Sequence, residues 1–96
     1  MAVDIDDGYY HRADAFIDLA NEHCATTDRE SVSASLMYSS ARFNAWVSAT
    51  DFSSGDQMRN EKLERIAYFV AQYRTMLEEN MDNYIQNFDD YMKPNA

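Results

Sequence analysis

The chain has 96 residues, 46% of them hydrophobic and 26% charged, with 17 acidic against 8 basic residues and a net charge of −9. That length suits one domain, and the apolar and charged fractions are those of a globular chain rather than a disordered one. The acidity disfavours an ordinary nucleic-acid binder, whose grip on phosphates comes from Lys and Arg. No apolar run approaches the roughly 18 residues of a membrane span, so no membrane role is expected.

Cys24 is the one cysteine. A single thiol makes no internal disulfide, so no oxidising compartment is required. The ordinary reading is a reduced, partly buried thiol. A reactive thiolate favoured by His23 is the alternative. The first residues carry neither a basic stretch nor an apolar one, so no secretory leader is expected and the location reads as cytoplasmic. Two glycines and one proline are too few for the turns of a β-rich domain of this size. The composition points to an all-α fold.

The first predicted helix covers residues 7–25. Asp4, Asp6 and Asp7 stand at its start, where carboxylates suit the positive dipole end and cap free N–H groups. Tyr9, Ala13, Phe16, Ile17, Ala20 and Cys24 mark one helical face. Asp14, Asp18 and Glu22 lie opposite.

The second helix covers residues 30–50. Thr27, Asp28 or Ser31 is placed to cap it, and Thr27-x-x-Glu30 fits a capping box. Val32, Leu36, Phe43, Trp46 and Val47 share one side, and small Ala and Ser residues another. Between Ser31 and Thr50 the only charge is Arg42. A helix without a charged face is normally covered on most sides. It reads as the central helix, packed on both flanks.

The third helix covers residues 56–91, after a second capping box at Ser54-x-x-Gln57. Its apolar stripe runs Leu63, Ile66, Val70, Tyr73, Leu77, Met81, Tyr84, Phe88 and Tyr91, close to a coiled-coil seam. At about 1.5 Å per residue a straight helix of this length overhangs the first two by about 20 Å. Either it breaks near Glu78, Glu79 and Asn80, or another chain covers it. The single domain 1–96 therefore reads as a three-helix bundle with a long third helix, oligomeric through that helix.

Motifs with chemistry are scarce. His11, Asp14 and Asp18 step along the first helix and could ligate zinc or iron. The ordinary reading is a solvated face. Residues 51–62 do not make a calcium loop, because the glycine falls one place early and Lys62 stands where a glutamate is needed. No phosphate loop, dinucleotide fingerprint or nucleophile elbow is present. The protein is expected not to be an enzyme and to need no cofactor. Arg42 reads first as an ion-pair partner for a neighbouring helix. Its functional alternative is an anchor for an acidic ligand or partner. Met81, Tyr84 and Phe88 read first as core, with a partner groove as the alternative, since Met and aromatic surfaces recur where proteins bind helices.

Three stretches resemble a family of small acidic bacterial proteins known as a domain of unknown function. They are Tyr10-x-Arg12-Ala13-Asp14-x-Phe16-Ile17-x-Leu19-Ala20-Asn21, then Ser33-x-Ser35-x-x-Tyr38-x-x-Ala41-Arg42-Phe43-Asn44-Ala45, then Tyr73-x-x-x-Leu77-x-Glu79-Asn80-x-x-x-Tyr84. The resemblance spans residues 6–88 and implies an intracellular bacterial protein. It carries no activity, ligand or catalytic residue with it.

Together these readings favour a non-enzymatic interaction or accessory protein, acidic, helical and homo-oligomeric. A protein partner would be basic or would offer an amphipathic helix. The alternative is a small-ligand or metal-binding module using the His11/Asp14/Asp18 face or Arg42. A weaker third idea is nucleic-acid mimicry by the acidic face.

Overall fold

The computed structural model describes residues 5–93. Among the described residues there are helices and no strand, as an all-α chain requires. The elements are α1 (Tyr9–His23), α2 (Arg29–Ala49), α3 (Gly55–Asn60), α4 (Lys62–Gln86) and α5 (Phe88–Met92). The expected three helices are thus five segments. They fall into two compact units, one running to Arg59 and the other beginning at Asn60.

In the first unit the local signals decide where helices begin. α1 starts at Gly8, which has no side chain to cap it. The expected carboxylate cap is absent because Asp6 turns to Arg12 instead, accepting Nη2–H at 2.8 Å and Nη1–H at 3.3 Å. Asp4 lies outside the described residues. α1 ends at His23, and the N–H groups of Thr26 and Thr27 donate to the His23 carbonyl at 3.2 and 3.1 Å.

Asp28 is the residue that caps α2. Its backbone is extended, with φ −66° and ψ 152°, and its Oδ1 accepts from the Ser31 N–H at 3.0 Å. The Thr27–Glu30 box does not form, and Glu30 takes the Arg29 guanidinium at 3.2 Å. α3 does use a box. Ser54 Oγ accepts from the Gln57 N–H at 3.1 Å, and Gln57 Oε1 accepts from the Ser53 N–H at 2.8 Å. The return bond falls one residue earlier than the usual pattern.

Burial departs from expectation. In α2 only Val32 and Ser48 are buried, with Leu36 and Asn44 half-buried. Those four lie four or eight residues apart, so they form one narrow line along the helix. The expected packing on both flanks is therefore corrected. Phe43, Trp46 and Val47 stand exposed, although Phe43 and Trp46 lean on each other with ring centroids 5.4 Å apart. In α1 Phe16 and Ile17 are exposed, and so is Cys24, expected to be partly buried. An apolar stripe is covered only where a second apolar face meets it.

The second unit holds α4 and α5. The stretch expected as one helix breaks at Glu61 (φ −109°, ψ 7°) and at Asn87 (φ −117°, ψ 25°). It runs unbroken through Glu78, Glu79 and Asn80. Neither break carries Gly or Pro, the residues that usually interrupt a helix. At Asn87 the side-chain amide donates to the Asn83 carbonyl at 2.9 Å, competing with the backbone for it. The chain is bent rather than cut there. The Asn87 N–H still donates to Asn83 O at 3.1 Å, and the Tyr91 N–H to Asn87 O at 3.0 Å.

Candidate functional site

α4 carries two faces with different fates. One holds Arg65, Tyr68, Phe69, Gln72 and Met76, all half-buried. The other is the apolar stripe from Leu63 to Tyr91. Every member of it is exposed, from 40% at Leu77 to 79% at Leu63. Ile85 extends it sideways at 71% exposure. At 100° per residue the centres of the two faces lie about 125° apart, so the stripe is a separate surface.

The ion pairs of α4 and α5 lie off this stripe. Arg65 approaches Glu61 at 3.6 Å, Arg74 Nε donates to Glu78 Oε1 at 2.8 Å, and Lys93 stands 3.7 Å from Asp89. Lys93 also lies over the Phe88 ring, 5.8 Å from its centroid. Tyr84 and Tyr91 meet edge to face at 5.1 Å, which carries the stripe across the bend at Asn87. What such a surface can do is bury apolar area against a second apolar surface.

Met81, Tyr84 and Phe88 are three members of this stripe, and the structure brings them together on it. Leu63, Ile66, Val70, Tyr73, Leu77 and Tyr91 belong to the same surface. Their spacing signalled a seam, but a seam reads first as core. Arg42 lies elsewhere, on α2 in the first unit. It is exposed, and none of the hydrogen bonds or ion pairs among the described residues involves it. The expected ion pair to a neighbouring helix is therefore not found there.

His11, Asp14 and Asp18 are exposed along α1. Among the described residues no three His, Cys, Asp or Glu side chains come close enough to hold a metal ion. The metal reading rested on helical spacing, and spacing along one helix did not gather the three ligands.

The local electrostatics follow from surface hydrogen bonds. The Arg12 guanidinium holds the Asp6 carboxyl below the usual carboxylate range, and Asp6 in turn raises Arg12. Hydrogen bonds from Ser31, first its side chain and then its backbone, lower Asp28. These groups serve helix starts.

The family model described as a protein of unknown function, DUF3144, matches residues 9–85. The chain belongs to this family. An NMR structure of the protein NB7890A from Shewanella sp. is similar to it, with 38% sequence identity and a TM-score of 0.77. The likeness covers 98% of this chain and all of that one. No protein with a curated description matches. The matched residues of DUF3144 take in α1, α2, α3 and most of α4, including the stripe as far as Tyr84. No helix among the described residues is long and apolar enough to cross a membrane.

Proposed function

We propose that this DUF3144 chain is a non-enzymatic interaction or accessory protein of the cytoplasm that works as a homo-oligomer. The observation that carries this reading is the stripe from Leu63 to Tyr91, apolar for its whole length and exposed at every position. Leaving a large apolar side chain in water forfeits roughly 1.5–3 kcal/mol against burying it. A soluble protein seldom leaves so long a contiguous stripe uncovered unless something docks there. Small domains also gain from self-association, because a short chain buries too little surface alone.

The net charge of −9 biases any further protein partner toward basic surfaces. Met81, Tyr84 and Phe88 are the contact residues at the acidic end of the stripe. Arg42, exposed on a helix otherwise nearly free of charge, is a second anchor, suited to an acidic group.

Methyl resonances of Leu63, Ile66, Val70 and Leu77 test the association. On tenfold dilution they shift as the stripe is uncovered. Methyls that stay fixed, in a sample with the mass of one chain, contradict the reading.

A further inference from the structure

We infer that the occupant of the α4–α5 stripe is the same stripe of a second copy, lying antiparallel, with Leu77 on the two-fold axis. This rests on the self-association reading and adds its geometry.

The first support is the order of the spacings. From Leu63 the steps are three, four, three and four to Leu77, then four, three, four and three to Tyr91. The series is the same from either end. Turned end over end about Leu77, the stripe lays Leu63 at the level of Tyr91, Val70 at the level of Tyr84 and Leu77 against itself. Every apolar position then meets another. A two-fold interface requires this self-complementarity, in which each contact between two residues occurs twice.

The second support is charge. The fifteen residues before Leu77, from Lys62 to Met76, hold three bases and one acid, a net +2. The fifteen after it, from Glu78 to Met92, hold five acids and no base, a net −5. A parallel pair sets −5 beside −5. An antiparallel pair sets +2 beside −5 at both ends. Like charges held close across an interface are costly, and opposite ones fix its direction. Arg74 and Glu78 flank the axis and are well exposed, at 80% and 62%. In the antiparallel pair Arg74 comes within two residue levels, about 3 Å along the axis, of Glu78 in the second copy.

The third support is area. Nine large side chains, 40% to 79% exposed, present at most on the order of 900 Å² per copy for burial, which with their flanking residues is comparable to the about 800 Å² per partner of a standard stable interface. The tyrosine pair across Asn87 keeps Phe88 and Tyr91 in line with the rest.

The test is a distance between spin labels. Glu64→Cys in a Cys24→Ser background places the label on the exposed side of α4, off the stripe. In the antiparallel pair the two labels are separated by 26 residue levels, about 39 Å along the axis at 1.5 Å per residue. A parallel pair holds them within roughly 20 Å. A long distance from a two-copy sample is the expected result. A short distance, or a mass above two copies, overturns the geometry and leaves self-association standing. No dipolar coupling with the mass of one chain overturns both. Disulfide trapping gives an independent answer: in the same Cys24→Ser background, Leu63→Cys and Tyr91→Cys chains cross-link to each other when mixed, and neither to itself. Self-linking of Leu63→Cys, or no mixed link in a two-copy sample, counts against the antiparallel pair.

Discussion

The rings of Tyr84 and Tyr91 meet edge to face at 5.1 Å, one on each side of the bend at Asn87. This contact, with the hydrogen bonds through Asn87, keeps the short α5 in register with α4. An aromatic pair of this geometry contributes about 0.5–1.5 kcal/mol beyond its buried area, and a surface pair sits at the low end. Tyr91→Ala therefore speeds amide exchange over residues 88–92 and leaves exchange in α2 unchanged. A double-mutant cycle with Tyr84→Ala gives a coupling of about 0.5 kcal/mol. Zero coupling would mean that α5 is held by its backbone alone.

Leu77→Asp is the sharpest single change to the stripe. In the antiparallel pair one substitution sets two carboxylates face to face at the two-fold axis. Dissociation on dilution then moves to at least about tenfold higher concentration, a change of about 1.4 kcal/mol. Helix content stays close to that of the parent chain at high concentration. An unaltered dilution profile contradicts the placement of Leu77.

Arg42 is expected to contribute little to the stability of the fold. It is exposed and makes no ion pair among the described residues. Arg42→Ala keeps the unfolding free energy within about 0.5 kcal/mol, the usual range for a surface site without such a bond. A loss of 2 kcal/mol or more in a denaturant melt would show that the guanidinium holds the fold.

Much of the local structure was legible in the residues, and the burial was not. The α2 start was narrowed to Thr27, Asp28 or Ser31, of which Asp28 is the cap, and the α3 start was marked by Ser54, because capping depends only on a side-chain oxygen and the N–H groups next to it. The stripe was legible in its spacing. The bends at Glu61 and Asn87 were not, since no Gly or Pro marks them and the Asn87 amide acts through a bond to Asn83. Exposure of Phe16, Phe43, Trp46 and Leu77 was the larger departure. An apolar face in the sequence marks a surface suited to burial, and it is silent on whether a cover comes from the same chain. The same silence let the stripe read as core. His11, Asp14 and Asp18 looked like a ligand set by spacing, yet no metal-holding group forms among the described residues.

Acid should loosen the start of α2 in a defined order. Asp28 has its pKa lowered from 3.8 by the Ser31 hydrogen bonds. A carboxyl lowered in the folded state contributes stability above its unfolded value, and that contribution disappears as pH falls through the folded value. The Ser31 amide resonance therefore titrates with a midpoint below 3.8. Asp28→Asn, which keeps the cap without the charge, removes the titration. A Ser31 midpoint at or above 3.8 contradicts the cap as the source of the shift.

Cover of the α4–α5 stripe by a second copy is tested most directly by the solution mass from light scattering after gel filtration, across a tenfold range of concentration. One chain is 11.1 kDa. A pair of copies gives twice that mass at the upper end of the range, moving toward the single-chain value on dilution or with Leu77→Asp. A mass of 11.1 kDa at every concentration would contradict it.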